Sequence, residues 1–209
     1  MNNSISRFQM ILLLLLLSLN VAYAADTKQA GIQFQPFVQS YVWYDGNRER
    51  QLWLNPQAVA EFNPGPEGEA SVKKINPAAT ELPTRHPQQS VRFWQMDNTA
   101  DNAARSLRAS NPQGRYSAVF HDGPNSAGRM RALPGNIIVY LDPQWSNAIV
   151  KQWLSGHKLE VVKKLEIGPN IYLIKTGPGI EALDTANALY RSGEVKAAFP
   201  DWWQEVSKK

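Results

Sequence analysis

His121-Asp122 is the pair of residues in this chain whose types suit acid–base chemistry, and with a serine it would make a hydrolase set. Such a serine needs a rigid, strained setting, and no G-x-S-x-G elbow is present. Asp122-Gly123 also matches Asp45-Gly46, where Tyr44 stands in place of the histidine, so a turn accounts for both pairs. The other histidines, His86 and His157, lie in a proline-rich loop and after a helix stop. None of the three has a second histidine or an acid at the H-E-x-x-H spacing, so no metal is expected. No G-x-x-x-x-G-K-[ST] or G-x-G-x-x-G phosphate loop appears. The acid pairs Glu67/Glu69 and Asp45/Glu49 fall in loops or turns and read as solvated. The chain therefore reads as no enzyme, with no cofactor, and its function is sought in a binding surface.

The seven tryptophans are the better clue. Trp145 and Trp153 fall on a helical stripe, and Trp43, Trp53 and Trp94 on strands, so these five read as core. Trp202-Trp203 follows a proline in a short terminal tail. It is either folded back on a sheet or a partner anchor, because tryptophan concentrates binding energy.

Composition sets the address. Arg7, the apolar run Met10–Leu17 and the small-x-small Ala22-Tyr23-Ala24 make residues 1–24 an expected signal peptide. The apolar run is shorter than the ~20 residues of a bilayer span, so no membrane association is expected after cleavage. The product is expected to be exported, periplasmic or secreted. The chain carries a net charge of +4 and scattered basic residues, with no basic cluster interleaved with aromatics, so no nucleic-acid partner is expected. The absence of cysteine excludes disulfides, cysteine-based metal sites and a lipid anchor at the cleavage site.

Hydrophobic patterning then places the elements. Residues 25–37 read as a flexible tail. Val38–Tyr44, Gln51–Leu54 and Ala58–Phe62 read as strands, the last two separated by Asn55-Pro56. Residues 63–89 read as loop with a short strand at Val72–Ile75. Val91–Met96 is a strand, Asn98–Ser110 a helix after Asp97, Arg115–His121 a strand and Arg129–Leu133 its return. From residue 135 the order is clearest. Strand Ile137–Leu141 stops at Asp142-Pro143, a helix start carrying Trp145, Ile149 and Trp153 on one stripe. Leu159–Ile167 alternates as a strand and turns at Gly168-Pro169-Asn170 into Ile171–Lys175. A helix marked by Ile180, Leu183, Ala186 and Tyr190 stops at Gly193, and a strand runs from Val195 to Phe199. This β-α-β-β-α-β order is ferredoxin-like.

An offset of 79 residues lays the first half on the second. Glu61–Pro64 falls on Tyr140–Pro143, Phe93 on Tyr172, Ser117–Phe120 on Lys196–Phe199, and Leu54 on Leu133. Val72-Lys-Lys-Ile75 instead matches Val162-Lys-Lys-Leu165, at an offset of 90, as if the first copy had lost its first helix. The expected fold is α+β, with tandem ferredoxin-like units of antiparallel sheet, the first degenerate, each led by a β-hairpin. The expected divisions are 1–24, 25–37, a degenerate unit at 38–123, a connecting hairpin at 124–134, the better-preserved unit at 135–203 and a tail at 204–209.

Ile137-Ile-Val-Tyr-Leu-Asp-Pro143, Leu159-Glu-Val-Val-Lys-Lys-Leu-Glu-Ile-Gly168, Ile171-Tyr-Leu-Ile174 and Glu194-Val-Lys-Ala-Ala-Phe-Pro-Asp201 resemble the N-terminal prodomains of secreted subtilisin-like serine proteases, the fervidolysin-type propeptide in particular. The resemblance implies a ferredoxin-like unit whose open sheet face packs on the protease and whose C-terminal tail enters the cleft like a substrate. It also implies a role as folding template and inhibitor. None of the protease's Asp, His or Ser motifs is present and no catalytic domain follows Lys209, so the implied role is a stand-alone inhibitor or folding chaperone of a subtilisin-like protease, acting in trans. The implied contacts are the tail, Pro200, Asp201, Trp202, Trp203, Gln204 and Glu205, and the sheet residues Glu160, Val162 and Lys164. An envelope adaptor binding a protein or a glycan through Trp202-Trp203 is the alternative, and a small hydrolase using His121 a third reading.

Overall fold

The computed structural model describes residues 39–63, 71–83, 90–97 and 100–205. The expectations for the signal peptide, the 25–37 tail, His86, Glu67 and Glu69 concern residues outside these. The chain divides into Met1–Phe37 and one compact unit, Val38–Lys209, to which all the described residues belong.

The described residues form an α+β fold of two antiparallel sheets and four helices. In chain order they are β1 Ser40–Asp45, β2 Arg48–Phe62, α1 Ser71–Ile75, β3 Thr80–Glu81, β4 Val91–Gln95, α2 Ala100–Ser110, β5 Arg115–His121 and β6 Met130–Ala132. There follow β7 Ile137–Tyr140, α3 Asn147–Gly156, β8 Val161–Lys164, β9 Ile171–Ile174, α4 Ile180–Ser192, β10 Ala197–Pro200 and β11 Trp203–Gln204. The first sheet runs β11-β6-β5-β2-β4-β3, with β1 also paired to β2, and the second runs β10-β7-β9-β8.

Three local expectations change. Asn55-Pro56 does not divide two strands. It sits in a register shift between Leu54 and Val59 inside one long β2, where a bulge accommodates a proline that cannot donate to the ladder. Val72–Ile75 is helical, not extended, because the Glu61 carboxylate accepts from the backbone N–H groups of Ser71 (2.8 Å) and Val72 (3.3 Å) and fixes a helical turn there. A short helix thus stands where a strand was expected. Finally, α3 begins one turn later than Asp142-Pro143. Ser146 is its N-cap and accepts from Ile149 N at 3.4 Å, while Asp142 accepts from Gln144 N in a preceding turn. Ile149 consequently faces solvent rather than the core.

The main core is continuous through both halves. Val59, Ala104 and Leu107 share it with Val139, Leu154, Leu183 and Ala186. A second cluster, Ala58, Ala60, Phe62, Val91, Phe93, Val119 and Ala132, lies on the other face of the first sheet. α4 is tied to β1 as well as to its own sheet: Asn187 Nδ2 donates to Val42 O at 2.8 Å, and Tyr190 stacks on Tyr44 at 4.2 Å. The chain enters the second sheet through Gly135, whose φ of +98° and 2.9 Å approach of a would-be Cβ to Thr176 O require glycine.

Candidate functional site

The tail is the first expected contact region, and it lies on this chain's own sheets. Pro200 is buried in β10, opposite Ile137. Asp201 donates its N–H to Asn136 O at 3.2 Å, and half-burial pushes its carboxyl above the ordinary range, with Lys163 and Arg115 pulling it partly back. The chain then crosses to the first sheet. Trp203 and Gln204 pair antiparallel with Ala132 and Arg131, and Glu205 N donates to Met130 O. Trp202 packs on Trp43 and Phe120, and Trp203 on Phe93 at 4.7 Å. Of the two sequence alternatives for Trp202-Trp203, this is the folded-back tail.

The second region is β8. Its four residues are exposed, and the expected alternation fails at one point. Val161 pairs with Ile174 and Lys163 with Leu173, so the register shifts at Val162. Beyond that bulge every side chain changes face. Lys164 pairs with Tyr172 and lies over its ring at 5.9 Å, on the side of α3 and α4. Lys163, not Lys164, therefore shares the helix-free face with Leu173. Glu160 is exposed and pairs with Lys175 through both carboxylate oxygens at 2.9 Å. Ile171, Leu173 and Ala197 are buried yet belong to neither core cluster.

His121 is buried at the end of β5. Its Nε2 faces the Asn55 amide at 3.4 Å, and burial lowers its pKa, with the Gly128 backbone, Asp122 and Glu205 pulling it partly back. Asp122 turns away to Arg131, and the Ser126 hydroxyl accepts from Asn55 at 3.3 Å. No nucleophile–base contact joins these groups. The His157 ring lies 4.2 Å from the Trp153 ring, tilted at 32°, and meets Glu194 at 3.2 Å. Among the described residues no cluster of three potential metal ligands occurs, and no helix is long and apolar enough to cross a membrane.

A feature that sequence reading passes over is an open groove of about 700 Å³ between the β1–β2 hairpin, the β5–β6 turn and β11. One of its lining residues is Arg131, whose side chain is only 11% exposed. Its Nε and Nη2 donate to the two oxygens of Asp122 at 2.5 and 3.2 Å, and its Nη1 donates to Gln204 Oε1 at 3.0 Å. The guanidinium lies 5.4 Å from the Trp43 ring and 5.7 Å from the Trp202 ring, so it is fixed by bidentate bonding and by aromatic faces together. Arg129 also donates to Gln204 Oε1 at 3.2 Å. Arg50 meets Asp45 at 3.5 Å across the hairpin, and Glu49 and Trp53 complete the wall. Trp43 and Trp94 are core as expected, whereas Trp53 is half-buried, belongs to neither cluster and faces the groove. In sequence these groups lie on three distant segments, and pairing of β2 with β5, β5 with β6 and β6 with β11 assembles them.

Compared with family models, curated proteins and solved structures, the chain matches none.

Proposed function

We propose that this chain is an exported, non-catalytic propeptide-like protein, built from two diverged ferredoxin-like units, that binds a subtilisin-like serine protease in trans as inhibitor or folding chaperone. The observation that carries the reading is the second sheet's order. In the run β7-α3-β8-β9-α4-β10 the strands lie fourth-first-third-second, all antiparallel, as the ferredoxin-like prodomain resemblance implies. The first half supports the tandem relation. Its run β2-α1-β3-β4-α2-β5 lies in the same order, and the cross-strand row Ala118–Val59–Trp94 has its counterpart in Ala198–Val139–Tyr172, all six residues in the main core. The helix-free face of the second sheet is the docking surface in this reading, with half-buried Ile138 and Tyr140 beside the buried Leu173, Ile171 and Ala197, and Lys163 at its edge.

The seated tail adds a step. For Pro200–Glu205 to enter a protease cleft, β11 must leave β6, so binding through the sheet face precedes any tail insertion. Titration of purified subtilisin-like proteases with the protein tests the proposal. The expected result is inhibition that saturates at stoichiometric amounts, or faster recovery of activity on refolding. Val162→Glu and Lys163→Glu, both at exposed positions, should weaken it, the first with no change in stability. No inhibition and no refolding assistance across several such proteases overturns it.

A further inference from the structure

The protease reading makes no use of the groove around Arg131. From its chemistry we infer that it is a binding site for a neutral glycan. Its walls carry three arginines, Arg50, Arg129 and Arg131, against three carboxylates, Asp45, Glu49 and Asp122. Arg131 is matched by Asp122 and Arg50 by Asp45, so the groove offers no excess charge of either sign to a phosphate, an acidic peptide or a basic peptide. What it offers is a dense mixture of donors and acceptors. A sugar hydroxyl both donates and accepts, and a pair of neighbouring hydroxyls fits an arginine fork on one side and a carboxylate on the other.

The aromatic surface completes the match. Trp53 is a large indole with no place in either core, presented at the groove wall. The apolar C–H face of a pyranose ring covers such an indole while its hydroxyls stay at the polar rim, the same division of labour that puts tryptophan at half-wet sites. The volume of about 700 Å³ falls in the range of small-ligand sites and suits a short oligosaccharide. One of the lining groups is pre-organised, since Arg131 is held by Asp122, Gln204 and two rings before any ligand arrives. Little ordering is then left to be done on binding.

The test uses the full chain after signal removal, probed by tryptophan fluorescence and calorimetry with maltotriose, cellotriose and chitotriose, by trigalacturonate as the anionic control, and on an array of neutral and charged glycans. The expected result is saturable binding of at least one neutral glycan, weakened about tenfold by Trp53→Ala and largely retained by Trp53→Tyr. Arg129→Ala, which removes an exposed side chain bonded to Gln204, should also weaken it while leaving the unfolding midpoint unchanged. Protease inhibition should be unaffected by Trp53→Ala, which separates this site from the sheet-face proposal. Silence of every neutral glycan, tighter binding of trigalacturonate, or binding that survives both Trp53→Ala and Arg129→Ala unchanged would each overturn the inference.

Discussion

Trp43 and Trp202 meet edge to face, with ring centroids 5.4 Å apart and planes inclined at 68°. The contact joins the first strand of the described fold to its last segment, and Phe120 and Arg131 close around it. Because Trp202 lies between β10 in one sheet and β11 in the other, it is the bolt of the crossover.

Trp202→Ala should therefore lower stability by about 3 kcal/mol, at the low end for deletion of a large aromatic because the ring is only partly buried. Trp202→Phe should lose much less. Its indole N–H is buried without a hydrogen-bond partner among the described residues, so removing it sacrifices no bond to them. Urea unfolding monitored by circular dichroism distinguishes the two variants, and equal losses would contradict this account.

A second prediction concerns Glu61, a carboxylate with only 1% of its surface exposed in the middle of the first half. It accepts from Ser71 N, Ser71 Oγ, Val72 N and the Trp94 indole at 3.0 Å, and Tyr116 Oη continues the network through Ser71 Oγ. Glu61→Ala leaves several buried donors unpaired and should cost roughly 3 kcal/mol, with α1 lost first. Glu61→Gln keeps one acceptor oxygen and should lose less. Hydrogen exchange at Val72–Asn76 is the direct readout, since Asn76 N donates to Val72 O in this turn.

The same residues show what could be read beforehand and what could not. Strands β4, β5, β7 and β9 and helix α4 were legible because their apolar periodicity is strong and Gly193, at φ +74°, marks a helix end. Val72-Lys-Lys-Ile75 is ambiguous by pattern, because four residues with two apolar ends fit a strand or a helical turn equally. The carboxylate that decides lies ten residues earlier. The 79-residue offset sets together residues that lie on different faces of their sheets. It puts Phe93 on Tyr172, yet Phe93 sits in the second cluster and Tyr172 in the main core. Counting along the paired rows gives Val59 with Val139 and Trp94 with Tyr172, offsets one residue to either side of 79, and a one-residue slip in a strand exchanges its faces. The groove was illegible for another reason. Asp122, Arg131 and Gln204 converge through backbone pairing of β5, β6 and β11, which no local pattern announces.

Asp201 carries the third prediction. Half-burial raises its pKa in the folded protein, so the charged form is disfavoured there. Its contribution is therefore fully present below the ordinary carboxylate value and is lost as pH rises through the raised folded value. At neutral pH Asp201→Asn should stabilise the crossover, and the advantage should vanish in acid below the ordinary carboxylate range. Thermal midpoints of the two proteins across that interval decide it. A variant that gains equally at every pH would show that titration of Asp201 is not the cause.

His121 should act with the opposite slope. Its ring is buried, and burial holds its pKa below the usual value of about 6.5 because the charged imidazolium is disfavoured. In the unfolded chain the ring takes a proton near 6.5, while in the fold it does so only at lower pH. Stability from the neutral ring is then complete above about 6.5 and falls as pH drops through the depressed folded value. His121→Gln preserves an amide able to meet Asn55 but cannot gain a proton. It should flatten the loss on the acid side of neutrality while leaving stability at pH 8 within about 1 kcal/mol of the parent protein. Since β5 carries His121 next to Asp122 and pairs with β6 beside Arg131, the same acidification should loosen the groove. The check is to follow the His121 imidazole by NMR titration beside the unfolding midpoints. A folded-state pKa at or above the ordinary value, or an unaltered acid slope in His121→Gln, would contradict the assignment.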